Sequence, residues 1–145
     1  MKQNQLKFLV LVAAFAALVS PISVEAAEGK AAGVDFVTGG VGFESRQQML
    51  AQAKEYNPHI EFTIAPAGNY VADVEVNIAD SKGNNVLSTR TDGPWLFARL
   101  PAGNYTVTAR YGNSVQRQQV SVGGAGTRRL TVRFPATAEP VAAGS

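Results

Sequence analysis

The sequence predicts a mainly β protein: a seven-stranded sandwich of two sheets preceded by one helix. Three observations carry this reading. From His59 to Phe134 apolar and polar residues alternate in run after run, the period-two pattern of half-buried strands. Clusters of Gly, Asn, Asp and Pro separate these runs at short, regular spacing. The pentapeptide Pro-Ala-Gly-Asn-Tyr occurs twice, at 66–70 and 101–105, and each copy opens such a run. Proline fixes its own φ, glycine supplies a positive φ, asparagine tolerates one, and tyrosine begins the alternation. A small barrel is the alternative closure of the same strands.

The N-terminus has the layout of a secretory signal peptide. Lys2 and Lys7 give a positive start, residues 8–19 an apolar stretch, and Ser20 and Pro21 a break. Val24 and Ala26 place suitable residues for cleavage after Ala26, so 1–26 are expected to be removed. The apolar stretch is shorter than the roughly 20 residues a membrane span needs, and no cysteine follows it for lipidation. The expected location is periplasmic or secreted, with no stable membrane anchor after processing. About 120 residues then remain, enough for one domain with its own core. With no cysteine in the chain, disulfides, metal–thiolate sites and cysteine catalysis are excluded. The formal net charge of +2 includes Lys2 and Lys7; without them the chain is close to neutral, which argues against a nucleic-acid partner.

In order along the chain, 27–33 read as a flexible leader and 34–58 as a strand–helix segment. Val34, Phe36 and Val37 suggest a strand, and Gly39, Gly40 and Gly42 a turn. Ser45 with Gln48 fits a capping box, so the helix is expected over 46–56, with Met49, Leu50, Ala53 and Tyr56 on its docking side. Asn57 and Pro58 stop it. The sandwich is expected over 59–135. Ile60, Phe62 and Ile64 alternate first; Ala72, Val74, Val76 and Ile78 form the cleanest inward row. Asp80 to Asn84 supply a hairpin turn into Val86 and Leu87. Residues 95–100 are apolar on both faces apart from Arg99, as in a strand covered on both sides. Tyr105, Val107, Ala109 and Tyr111 alternate next, then an edge-like strand over 115–122, then Leu130, Val132 and Phe134. The alanine-rich 136–145 read as a disordered tail.

The stretch Thr91-Asp92-Gly93-Pro94-Trp95-Leu96-Phe97-Ala98-Arg99-Leu100-Pro101-Ala102-Gly103-Asn104-Tyr105-Thr106-Val107 resembles the signature of carboxypeptidase regulatory-like domains: a T-D pair, a glycine, alternating aromatics, then L-P-x-G-x-Y-x-V. The upstream strand 73–76 with Asp80 and Gly83 is similar to that family's preceding strand and D-x-x-G turn. Asp92 and Gly93 adjoin here, whereas the family commonly has two residues between the T-D pair and the glycine. The resemblance implies a transthyretin-like sandwich, also described as a carbohydrate-binding-like fold, acting as a non-catalytic module. Outside it the chain has no room for a peptidase or transporter barrel, so the module is expected to stand nearly alone.

The residues themselves advertise little chemistry. His59 is the only histidine, without cysteine partners for zinc or a G-x-S-x-G serine for a triad. Asp73 and Glu75, with Asp80 nearby, lack the D-x-D-x-D-G loop of a calcium site and read as solvated sheet charge. The glycines at 39, 40 and 42 lead to Phe43-Glu44-Ser45 rather than to a lysine and hydroxyl, so a turn is favoured over a phosphate loop. Trp95, Phe97, Tyr105 and Tyr111 could form a sugar platform, but their strand-period alternation assigns them to the core. Tyr70 is the one ligand-contact candidate, expected to be exposed. Arg110, Arg117, Arg128, Arg129 and Arg133 read as a solvated basic face. No catalytic residue, metal or cofactor is expected. The functional expectation is a non-enzymatic exported module for protein–protein interaction in the bacterial envelope. The alternatives are binding of a glycan or cell-wall polymer and, third, a small transthyretin-related hydrolase.

Overall fold

The computed structural model describes residues 27–31, 33–124 and 126–139. The expected signal peptide (1–26) and the end of the tail (140–145) lie outside them. The described chain runs β1 (Ala27–Ala31), β2 (Val34–Gly39), α1 (Gly42–Ala51), a single 3-10 turn (Ala53–Glu55), β3 (His59–Ile64), β4 (Asn69–Tyr70), β5 (Glu75–Asp80), β6 (Asn85–Arg90), β7 (Trp95–Ala98), β8 (Gly103–Tyr111), β9 (Ser114–Val122) and β10 (Arg129–Phe134). It is mainly β, with two sheets and one α-helix.

The first sheet has the order β1-β2-β7-β3-β10, with the short β4 also paired to β3; the second has the order β6-β5-β8-β9. All neighbours are antiparallel except β3 and β10, which run parallel with Ile60 opposite Leu130 and Phe62 opposite Val132. One core lies between the sheets. Ile60, Phe62, Leu96, Val132 and Phe134 enter from the first, and Val76, Ile78, Leu87, Val107 and Ala109 from the second. A smaller apolar cluster of Val37, Met49, Tyr56 and Phe97 lies on the outer side of the first sheet, beneath α1.

Of the eight strands between His59 and Phe134, all but the two-residue β4 fall on the alternating runs. The total among the described residues is ten, because β1, β2 and β4 add to the first sheet. β2 is no appendage of a separate segment: Val37 pairs with Phe97 and Phe36 with Ala98, which makes β7 a central strand. The segment expected as a loose leader pairs along β2 as β1, Gly29 opposite Phe36. Nor does the chain fall loose at Pro135. Ala138 donates to the Pro135 carbonyl and is buried, and the Glu139 amide donates to Asn113 Oδ1.

The helix also departs from the sequence reading. It begins at Gly42, because Gly40 and Gly42 both adopt positive φ and turn β2 directly into it. Ser45 then sits inside the helix, buried, and its Oγ accepts the Gly40 amide at 2.8 Å. Met49 shares its side and is fully buried, whereas Leu50, expected on the docking side, is half exposed.

The signature residues have mechanical roles. Thr91 is buried and its hydroxyl accepts the Val74 amide at 3.1 Å, tying the corner after β6 to the start of β5. A Cβ at Gly93 would stand 2.3 Å from the Gly39 carbonyl oxygen, so only glycine lets these two backbones cross. Asp80 Oδ1 accepts the amides of Lys82 and Asn84, closing the hairpin turn in which Gly83 takes φ +86°.

Candidate functional site

Alternation along a strand sends successive side chains to opposite faces, and the register aligns the outward ones of the first sheet into rows. One row reads Val37, Phe97, His59, Arg129 across β2, β7, β3 and β10. The next reads Gly39, Trp95, Glu61, Thr131. A third places Tyr70 and Arg133 on either side of Thr63. α1 covers the β2 end of this face and leaves the β10 end open.

Between the helix and β10 lies a groove of about 180 Å³. Leu50 and Ala53 form its helical wall, the aromatic rings of β3 and β7 its floor, and Arg129 and Thr131 its outer rim. The floor is rigid. His59 stacks on Phe97 with centroids 3.9 Å apart, and Trp95 stacks on Phe97 at 5.8 Å. The Trp95 indole N–H donates to Glu61 Oε2 at 3.1 Å, and a Cβ at Gly40 would meet the indole ring at 3.0 Å. The tryptophan is therefore clamped between a hydrogen bond and a close backbone approach.

His59, Glu61 and Arg129, a combination with catalytic potential, all line this groove. Their hydrogen bonds point elsewhere. His59 Nε2 donates to the Ala53 carbonyl at 2.9 Å, which places the proton on that nitrogen. Partial burial holds its pKa below the ordinary value, nearby Arg129 adds to the depression, and the Ala53 carbonyl opposes it. Glu61 is engaged with Trp95 rather than with the imidazole. The imidazole is thus engaged with a backbone carbonyl, and the Glu61 carboxylate with the indole N–H.

The helix that walls the groove carries exposed apolar side chains, as does the residue just before it. Phe43 is 71 % exposed, Val41 64 % and Leu50 50 %. Phe43 and Leu50 are seven residues apart, two helical turns, and so share the side opposite buried Ser45 and Met49. Arg129 rims the groove, and Arg133 stands two rows away, both exposed and without an ion pair among the described residues.

Two further cavities have their polar groups committed internally. One, of about 560 Å³, lies where β2 meets the β5–β6 turn. There the Tyr105 hydroxyl donates to the Pro101 carbonyl at 2.6 Å, and Arg99 pairs with Asp35 and Glu55 while covering the Tyr56 ring. The other is walled by Arg90, which bonds Asp73 at 3.1 Å and Glu75 at 2.7 Å, and by Arg110, 3.5 Å from Glu75. Asp73 is not on the strand with Glu75 as expected; it precedes β5 at φ +62°.

Of the aromatics assigned to the core, Tyr105 enters the space between the sheets and Tyr111 packs against its edge, while Phe97 and Trp95 belong to the outer cluster under the helix. Tyr70 is exposed, one row beyond Trp95 on the same face, and outside the groove. The exposed pair Val41 and Phe43 carries no sequence signal, because its glycine-flanked position reads as a turn. Among the described residues no acidic or histidine cluster suits a metal ion, and no helix is long and apolar enough to cross a membrane. Neither a family model nor a curated protein matches this sequence.

Proposed function

We propose that the chain is an exported, non-catalytic interaction module of the bacterial envelope that docks a protein partner through its helix-bearing face. The observation that carries this is the exposure of Phe43 and Leu50 on one side of α1, and of Val41 just before it, while Ser45 and Met49 on the other side are buried. Exposed apolar side chains on the helix that walls a groove with an aromatic floor and a polar rim have the make-up of an interface hot spot. At about 180 Å³ the groove is smaller than the roughly 300–1,000 Å³ of small-molecule sites, so it suits one side chain of a larger partner. On the β10 edge the Thr131 carbonyl is already engaged, accepting from Gln118 Nε2 at 3.3 Å. Export rests on the layout of residues 1–26. Assignment as a transthyretin-like, carboxypeptidase regulatory-like domain rests on the roles of Thr91, Gly93 and Tyr105 in the two-sheet frame.

The test is a photo-crosslinking amino acid at position 43, compared with one at Arg117 on the other sheet. A partner identified by mass spectrometry should crosslink at 43 and not at 117, and its purified form should lose at least tenfold affinity for Phe43→Asp. Equal crosslinking at both positions would discard the reading.

A second reading, glycan or cell-wall polymer binding, is favoured by the half-buried Trp95 fixed beside Glu61, Thr131 and Arg129, with Tyr70 one row away. Trp95 is the only tryptophan, so titration of soluble glycans against its fluorescence tests the idea directly.

A further inference from the structure

We infer that removal of residues 1–26 creates a structural ion pair: the α-ammonium group left on Ala27 pairs with the Asp92 carboxylate and fastens β1 to its sheet. The inference rests on the export reading above, because it needs the chain to begin at Ala27.

β1 runs antiparallel to β2, so its first residue lies at the far end of β2, with Ala27 opposite Thr38. Directly opposed residues of such a pair have Cα atoms about 4.5–5.5 Å apart. Thr38 is 1 % exposed; its Oγ1 accepts from the Asp92 amide at 3.3 Å and donates to Asp92 Oδ2 at 3.4 Å. Ala27 and Asp92, distant in sequence, thus have Thr38 as a common neighbour. The connection from β6 to β7 brings them there. It passes over the end of β2, where the Gly93 backbone crosses that of Gly39, and β1 lies against β6 along the same margin.

Charge supplies the second half of the argument. Asp92 is exposed and has no ion pair among the described residues. Arg90, the nearest cation along the chain, is committed to Asp73 and Glu75. Hydrolysis of the Ala26–Ala27 bond by an export peptidase consumes one water and leaves a carboxylate on Ala26 and an amine on Ala27. That amine is mostly protonated at neutral pH, since its ordinary pKa is about 7.7–8.0. Before the cut the same nitrogen is an uncharged amide. Processing therefore turns the first residue of an edge strand into a cation beside a carboxylate without a partner. β1 is held more firmly in the mature chain than in its precursor, by the few-fold that a pair near the surface contributes to an equilibrium constant.

The test is a cycle on the chain beginning at Ala27, prepared with its amino group free or acetylated, in the parent and in Asp92→Asn. Asparagine keeps an oxygen for the Thr38 hydroxyl, so this variant removes the charge and spares that contact. Exchange of the amides of residues 29–31 should quicken about two- to fivefold on acetylation and by a similar factor for Asp92→Asn. With both changes made, the second should add nothing to the first, and β5 and β8 should keep their rates throughout. Additive effects, or no effect of acetylation, overturn the inference. Mass spectrometry of the exported chain separates its failure from that of the export reading. A first residue other than Ala27 overturns the inference, and retention of residues 1–26 discards both. Additive effects in a chain shown to begin at Ala27 leave export standing.

Discussion

The imidazole of His59 lies nearly flat on the phenyl ring of Phe97, with centroids 3.9 Å apart and planes 19° from parallel. Burial against this ring, helped by Arg129, disfavours the imidazolium and lowers the histidine pKa from 6.5. The unfolded chain then binds more protons than the folded one as pH drops below about 6.5. Stability is therefore expected to fall from pH 7.5 toward 5.5 and to level off once the folded imidazole is also protonated. Urea midpoints across this range for the parent and for His59→Gln check the point: the variant should show a flatter slope.

Tyr105→Phe is expected to cost about 1 kcal/mol, the usual net worth of one hydrogen bond, by deleting the donor to the Pro101 carbonyl. Tyr70→Phe, at a tyrosine 54 % exposed, should change stability by less than about 0.5 kcal/mol. Denaturant unfolding of both variants checks the contrast.

Those two tyrosines end identical pentapeptides, and they show how far the sequence could be read. The turn chemistry is local and was legible in both copies. Whether the tyrosine turns inward depends on the partner strand. Asn69 and Tyr70 meet only the end of β3, whereas Tyr105 is the third residue of a nine-residue strand paired on both sides. The same division holds elsewhere. Alternation announced β3 and β5 to β10, but parallel pairing of His59 with Arg129, seventy residues apart, has no local mark. Residues 95–100 read as covered on both faces apart from Arg99, and Leu96, Phe97, Ala98 and Leu100 are buried while Trp95 is partly open to the groove; that one cover is the helix follows only from β2 joining β7. The groove was invisible for the same reason, since its walls come from three distant segments.

Gly93→Ala should be among the most damaging single changes in the chain. The added Cβ would lie 2.3 Å from the Gly39 carbonyl oxygen, and both parties are backbone, so a loss of roughly 3 kcal/mol or more is expected. The readout is the urea midpoint, or soluble yield where the variant does not fold. A loss below about 1 kcal/mol would contradict the close crossing.

Met49→Ala should cost about 2–5 kcal/mol, because Met49 is fully buried between helix and sheet. The damage should centre on the outer cluster. Hydrogen exchange is expected to accelerate in α1 while β5 and β8 remain protected, since their side chains belong to the other core.

Thr63→Val is expected to stabilise by about 1 kcal/mol. The Thr63 hydroxyl is buried without a hydrogen-bond partner, and valine fills similar space without a polar atom to desolvate. Thermal unfolding should show a higher midpoint.

The amide that Gln118 lends to the Thr131 carbonyl bears on colloidal behaviour as well as on stability. A filament grows by recruiting vacant backbone valences at an advancing rim, and at Thr131 on β10 one of these is already taken by a side chain from β9. A colliding molecule finds one acceptor fewer to zip onto at that point. A concentrated solution of Gln118→Ala should accordingly seed fibres from that margin more readily than the parent.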